Sequence, residues 1–433
     1  MKYALGNMLN GAGSLNPDGL SLDLQFATDK TLTARKGPNP VFTRGSTGTF
    51  VGSDGLIQSA AINAERFDHD PLTLACKGLL IEESRTNICL QSENFGTTWS
   101  NDSGAVTITT NVEVSPDGLT TADKIAESAS TTTRRICIQT ISVTSGTTYS
   151  YSCYIKAGER DFAQMATGTG LNSAFQNFIV NGANAGTLGS SSGIVSSRID
   201  AMPNGWYRCA IVVTATATGN TQVTVGPSPS STITRWQAYS STAGSGIHAW
   251  GAQLEAGSFP TFYIPTTTAS VVRSADLCSI SGSNFTGFWN QSAGTLVESF
   301  EASPNTNTTY VSASNGNIVQ NSIHLDNDTG LMRAVYYSGS SLVATLDLGA
   351  VGTVGAVNTI STAYSVNDFA ASRNGAAVVV DTAGAVPASL TQINIGADER
   401  SQTPTSFYSN RCIKSLRYFK KRLPDAKLQT LST

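Results

Sequence analysis

The residues of this sequence that could do chemistry are spaced for strands and turns rather than for bond-breaking. The three histidines, His69, His248 and His324, are far apart and lack metal-ligand spacing. Gly189-Ser190-Ser191-Ser192-Gly193 matches G-x-S-x-G in letters, but it reads as a low-complexity loop without the strand-turn-helix of a nucleophile elbow. Retaining glycoside hydrolysis needs two carboxyls about 5 Å apart, which positions i and i+2 of one strand can supply. Glu298 and Glu301 are three apart, so a regular strand turns them to opposite faces. Glu82 and Glu83 are adjacent and face opposite ways too; with Arg85 they read as ion pairing that holds the N-terminal region to the first β module. Asp326-Asn327-Asp328-Thr329-Gly330 offers oxygens two residues apart, as a hard cation wants. Tyr337 stands where an EF-hand places its last Glu, so the segment reads as a β-turn, with an irregular calcium site left open. The expectation is a protein without catalytic residues, metal or cofactor. A polysaccharide depolymerase built from residues of distant strands is the remaining catalytic alternative.

Binding chemistry is better represented. Trp236 and Tyr239 lie in Thr234-Arg235-Trp236-Gln237-Ala238-Tyr239, next to a Ser/Gly loop. An exposed ring there can stack on the apolar face of a pyranose, while hydroxyl and amide neighbours meet its polar edge. Tyr336 and Tyr337 put one ring on each face of a strand, so one of them is expected outside as a further glycan contact. Trp206, Tyr207 and Trp250 read as core aromatics. The last 23 residues carry seven basic side chains and one acid. Arg417, Lys420 and Lys421 are candidates for contact with an anionic glycan or lipopolysaccharide phosphate. The alternative is a solvated strand face that discourages edge pairing.

These residues need a scaffold, and the composition describes one. Of 433 residues only 13% are charged, while 40% are hydrophobic, enough for packed cores. The net charge of −3 argues against nucleic-acid binding. No apolar run is long enough to span a membrane, and the first ten residues make a poor signal peptide. The seven cysteines form no C-x-x-C pair and sit in apolar runs, so they read as reduced, buried side chains of a chain folded in a reducing cytoplasm. Short runs rich in Val, Ile, Thr, Tyr and Phe read as strands: 147–155, 206–214, 222–225, 295–300, 332–337 and 376–380. Asp54-Gly55 and Asn374-Gly375 are turn signals. The final element, from Leu423 to Leu431, reads as a helix with Pro424 at its first position; 118–126 reads as a helical turn or two. The fold class is all-β: tandem β-sandwich (jelly-roll) domains after a loop-rich N-terminal region, with a short C-terminal helix. The expected divisions are 1–90, 91–272 and 273–433.

Several segments together resemble a known group. They are Phe42-Thr43-Arg44-Gly45-Ser46-Thr47-Gly48-Thr49-Phe50, Arg66-Phe67-Asp68-His69-Asp70-Pro71, Gly78-Leu79-Leu80-Ile81-Glu82-Glu83-Ser84-Arg85-Thr86-Asn87 and Trp250-Gly251-Ala252-Gln253-Leu254-Glu255-Ala256-Gly257. The set resembles structural proteins of tailed bacteriophages and prophages, of the tail-fibre and virion-appendage kind. The middle region, with Asn204-Gly205-Trp206-Tyr207-Arg208, looks like a carbohydrate-binding jelly roll. The last region, with Arg373-Asn374-Gly375 and Ile413-Lys414-Ser415-Leu416-Arg417-Tyr418-Phe419, resembles a concanavalin A-like, laminin-G-like sandwich. The resemblance implies a non-enzymatic virion protein, made in the host cytoplasm, that recognises host surface polysaccharide or lipopolysaccharide. It also implies other virion proteins as partners, an N-terminal anchor and a homo-oligomer, a trimer by analogy with fibres. A head or tail decoration protein that binds only other virion proteins is the alternative.

Overall fold

Strand Thr148–Ala157 shows how the alternating pattern builds the first sandwich. Tyr149, Tyr151, Cys153 and Ile155 point to one side, as a period of two requires, and enter a core with Met165, Phe178, Ile211 and Leu254. Tyr154 points the other way and packs with Trp206, Trp250 and Tyr263. The computed structural model describes residues 18–101, 104–129, 132–134, 136–181, 186–398 and 407–433. In space, one sheet of this sandwich runs Ser196–Ala201, Trp206–Thr214, Thr148–Ala157, Gly246–Ala256, Ala122–Glu127, Val106–Glu113. The facing sheet runs Thr187–Ser192, Phe175–Ile179, Phe162–Thr167, Gly219–Ser228, Cys137–Val143, Ser100–Asn101. Two local expectations fail here. Residues 118–126 are a turn at Gly118 followed by strand Ala122–Glu127, because partners on both sides supply ladder bonds that outweigh a weak helical preference. The Ser-rich segment around Ser190 is not a loop but an edge strand, paired to Phe175–Ile179.

The second sandwich is larger. One sheet runs Val379–Asp381, Asp368–Arg373, Val357–Ser365, Gly294–Glu301, Arg411–Phe419, Cys76–Ile81, Phe67–His69, with Leu20–Leu24 also paired to Arg411–Phe419. The other runs Val41–Thr43, Leu277–Ser281, Gln392–Ile395, Asn307–Ser314, Ser322–Asp328, Leu331–Ser338, Ser341–Ala350. The strand expected at 376–380 is shorter and later, Val379–Asp381, because Ala376 closes the turn at Asn374-Gly375. Leu296 and Phe300 face the core, and Glu298 between them faces it as well. Glu298 is fully buried, and neither carboxylate oxygen has a hydrogen-bond partner. Burial pushes its carboxyl well above the usual range. The helix Asp425–Leu431 lays Leu428 on the outside of the first of these sheets, against Val297, Ala363 and Phe419. Pro424 is the residue before the helix rather than its first member: its ψ of 152° is extended.

The expected boundary near residue 90 does not separate a domain. Four strands from residues 20–81 are built into the two sheets of the second sandwich, where they cover the edges of Arg411–Phe419 and Leu277–Ser281. An uncovered edge would leave a row of unpaired backbone groups. Between these strands the hairpin Gly48–Val51/Ile57–Ala60 turns at Asp54-Gly55, with Gly55 at φ +80°, and lays Val51 and Ile57 on Trp206, Trp250 and Tyr263 of the first sandwich. The same N-terminal stretch therefore joins both sandwiches.

A seam of buried charge runs through this junction. Arg66 bonds Glu82 at 2.7 Å and also Asp276; Arg44 reaches Asp276 at 3.1 Å; Arg273 lies 3.2 Å from Glu82. Burial alone would raise the Glu82 carboxyl, but Arg273 and Arg66 bring it down to about 2. Glu82 thus acts as the expected tie to the first sandwich, accepting the Phe262 N–H, while Arg85 pairs with Glu83. All seven cysteines are free; six are buried and Cys76 is half-buried. Among the described residues no helix is long and apolar enough to cross a membrane.

Candidate functional site

The hairpin around Asp328–Gly330 places the candidate site. Thr329 and Gly330 take positive φ, so the segment is a turn, as its sequence predicts, and strands Ser322–Asp328 and Leu331–Ser338 pair back from it. Ile323, Leu325, Ala334 and Tyr336 face the core, so Ser322, His324, Asp326, Arg333, Val335 and Tyr337 face outward. His324, Asp326, Arg333, Val335 and Tyr337 line a groove of about 290 Å³ on the seven-stranded sheet, together with Asn307, Asn327, Thr345, Phe407 and the apolar Ile318, Val319 and Leu342. One extra residue, Val343, bulges between the pairs Tyr336–Ala344 and Tyr337–Leu342. Such a bulge re-aims the neighbouring side chains.

The polar floor of the groove is ordered from within. Asp326 stands directly opposite Arg333 and takes two of its hydrogen bonds, at 3.0 and 2.7 Å. The remaining arm of Arg333 reaches Asp328 at 2.8 Å. His324 meets Ser322 at 3.0 Å and lies 3.7 Å from Asp326. Its ring is nearly parallel to that of Tyr337, at 10° and 6.2 Å between centroids. Asn327 accepts the Gly330 N–H and donates to the Asn305 carbonyl, which fixes the turn at the groove end. Among the described residues no group of three or more His, Cys, Asp or Glu is placed to hold a metal. The two aspartates of the segment that reads as a turn with a calcium site left open are both engaged by Arg333. The arrangement offers a half-buried phenol ring, amides and fixed charges to a bound molecule.

The aromatic candidates divide sharply. Tyr337 lines the groove. Tyr336 does not: it is fully buried, and its hydroxyl meets Thr362 Oγ1 at 2.5 Å. The sequence cannot tell which of two adjacent rings a sheet turns inward. Trp236 is half-buried, with the Arg235 guanidinium 3.8 Å and that of Arg134 4.9 Å from its ring centre. Its Nε1 donates to Thr224 Oγ1 at 3.1 Å. Guanidiniums cover the ring that a sugar would need. Tyr239 donates from its hydroxyl to Glu127 at 2.7 Å. Glu127 also accepts two bonds from Arg160 and the Thr242 N–H. Burial would raise the Glu127 carboxyl, but Arg160, Thr242 and Tyr239 hold it below its ordinary value. Tyr239 thus ties a loop to the sheet.

The basic C-terminal stretch is dispersed. Arg417 is half-buried and donates to the Leu431 carbonyl at 3.4 Å. Arg422 pairs with Asp368 and Asp425, and Lys427 with Asp18. Lys420 and Lys421 are exposed; Lys420 donates to the Gly287 carbonyl and borders an open cleft shared with Lys36. His324, Arg333 and Phe407 are site residues that the sequence reading does not name for binding, and Asp326 enters it only through the calcium reading. Counting back from the Thr329-Gly330 turn would have set Asp326 opposite Arg333, which is the signal the sequence held.

No family model matches the sequence, and no curated protein does. Among solved structures the chain is similar to the NanB sialidase of Streptococcus pneumoniae, at 17% identity and a TM-score of 0.30 over 35% of this chain and 26% of that one. It is similar to the binding domain of botulinum neurotoxin DC in complex with SialylT, at 9% identity and a TM-score of 0.29 over 36% and 39%. The LG4-5 domains of the mouse laminin alpha1 chain match at 12% identity and a TM-score of 0.25 over 69% and 88%. The matched part spans about a quarter of the sialidase. At such low scores the site has to be read from its own residues.

Proposed function

We propose that the chain is a non-enzymatic glycan-binding protein whose second sandwich seats a sugar in the Tyr337 groove. The observation that carries this reading is the half-buried Tyr337 ring bordering a cavity whose other walls combine apolar side chains (Val319, Leu342, Phe407) with amides, hydroxyls and internally paired charges. That mixture suits a pyranose, which has an apolar face for the ring and hydroxyls for the polar wall. Binding rather than cleavage is favoured because both aspartates of the groove are taken up by ion pairs with Arg333. The wider setting is an appendage on a tailed-phage virion, made in the host cytoplasm and recognising host surface polysaccharide. This rests on the sequence resemblance of the segments around Arg44, Arg66 and Gly78–Asn87. Single sugar contacts are weak, so several copies on one particle would gain avidity.

A glycan array with the purified full chain, followed by titration calorimetry on its hits, tests the reading. A hit that Tyr337→Ala weakens at least tenfold supports it. Binding to no glycan, including host polysaccharide and lipopolysaccharide, overturns it in favour of a decoration protein. Release of reducing ends from such a polysaccharide would overturn the non-enzymatic part. Immunogold electron microscopy of particles tests the virion setting: label on the tail is expected, and label absent from purified particles refutes it.

A further inference from the structure

Away from the groove, the densest chemistry lies in the charged seam. Arg44, Arg66 and Arg273 are each 1% exposed or less, and they meet two carboxylates, Glu82 and Asp276. These five groups carry one more positive charge than negative. Nearby, Glu83 pairs with Arg85 and Asp68 with Lys77, and Glu255 is bonded by the neutral donors Gln253 and Thr261. Of the buried donors without an acceptor, Nε of Arg273 belongs to a side chain that borders open space. A buried charge and buried N–H groups left in this state are costly, and a small counter-ion removes both costs together.

A place for one exists. Arg273 lines a small, nearly closed cavity of about 40 Å³ together with Thr47, Gly48, Thr49, Ser59 and Val272. A single water needs roughly 10–15 Å³ of such space, so the cavity has room for one small ion. At Gly48 the wall is bare backbone lying against charge: a Cβ there would come 3.1 Å from Cζ of Arg44. Thr47, Ser59 and Val272 are exposed, so the cavity lies at the surface where an ion can enter. We propose that this cavity binds one halide-sized monovalent anion, chloride in ordinary solution. The ion neutralises the surplus guanidinium charge and strengthens the contact of the Gly48–Ala60 hairpin with the strand Val271–Arg273. Its ligand and location are independent of the sugar groove.

The test is the thermal unfolding of the full chain at constant ionic strength as chloride replaces gluconate. The midpoint should rise by about 2 °C between none and about 200 mM chloride. Crystals grown in bromide should show an anomalous peak in the cavity, within hydrogen-bonding distance of the Arg273 guanidinium. Val272→Phe, at an exposed rim position, should plug the cavity and remove both effects while the midpoint in gluconate stays put. Ser59→Phe, on the other side of the rim, serves if the first variant folds poorly. Equal midpoints in chloride and gluconate, a cavity that holds only water in bromide, or a chloride response that survives the plugging variants would each overturn the proposal.

Discussion

Around Trp206, Trp236, Tyr239 and Trp250 the first sandwich is closed, whereas around Tyr337 the second is open. On the first, the hairpin Gly48–Ala60 covers Trp206 and Trp250, Arg235 and Arg134 lie over Trp236, and Tyr239 is tied to Glu127. On the second, the seven-stranded sheet carries a groove in which Tyr337 borders open space. Both regions place aromatic rings beside polar loops, so residue type does not separate them. The difference is whether internal partners have already taken the faces and edges of the ring. An aromatic residue becomes a recognition surface when its own chain leaves it uncovered.

The charges follow a parallel contrast. At the seam that joins the sandwiches, Glu82 and Asp276 each lie against guanidiniums and Glu82 stays ionised. In the core of the second, Glu298 has no hydrogen-bond partner for its carboxylate, and burial pushes its carboxyl well above the usual range. Paired burial keeps charge because the partner replaces water; solitary burial expels it by taking up a proton.

The strongest way to break the comparison is to unseal the seam. Asp276→Ala takes from Arg44 and Arg66 the carboxylate they share and should cost about 3–5 kcal/mol in denaturant unfolding. A loss under about 1 kcal/mol would mean that the seam does not hold the sandwiches together. Next comes Glu298. Its folded-state pKa lies above its ordinary 4.5, so the folded chain keeps a proton that the unfolded chain releases. Stability is therefore greatest below the unfolded value and falls as pH rises through the window between the two. Glu298→Gln should remove up to about 1.4 kcal/mol of that loss per pH unit, seen as a flatter dependence of unfolding midpoint on pH. An unchanged pH profile would show that Glu298 finds a partner in the folded state. Tyr337→Ala should weaken glycan binding by about 1.5–2 kcal/mol, roughly 10- to 30-fold, in calorimetry. The smallest expected effect is that of Trp236→Ala on the same titration, under about twofold. A larger loss there would mean the first sandwich also presents its ring, and the contrast between the regions would fail.

Legibility followed the range of the interactions. Strand Trp206–Thr214 is where its β-branched run places it, and Asp54-Gly55 and Asn374-Gly375 turn as those pairs do, with Gly55 and Gly375 both at positive φ. The cores of both sandwiches follow from alternation, down to Leu296 and Phe300 flanking Glu298 on one face. The candidate site was half legible: Tyr337 could be named with its neighbour Tyr336, but the choice between them depended on which face the opposing sheet would cover. Trp236 and Tyr239 misled for the same reason, since Arg134, Arg235 and Glu127 reach them from elsewhere in the fold.

By itself the sequence determined the all-β class, the turn positions, the terminal helix and the inward alternation of its strands, because each depends on residues a few positions apart. Only the tertiary structure decided that Leu20–Leu24 and Cys76–Ile81 would close the sheet beside Arg411–Phe419, and that Asp276 would complete the charges of Arg44 and Arg66. Those partners lie hundreds of residues apart, and edge pairing and charge burial are settled by what arrives in space, which no local pattern encodes.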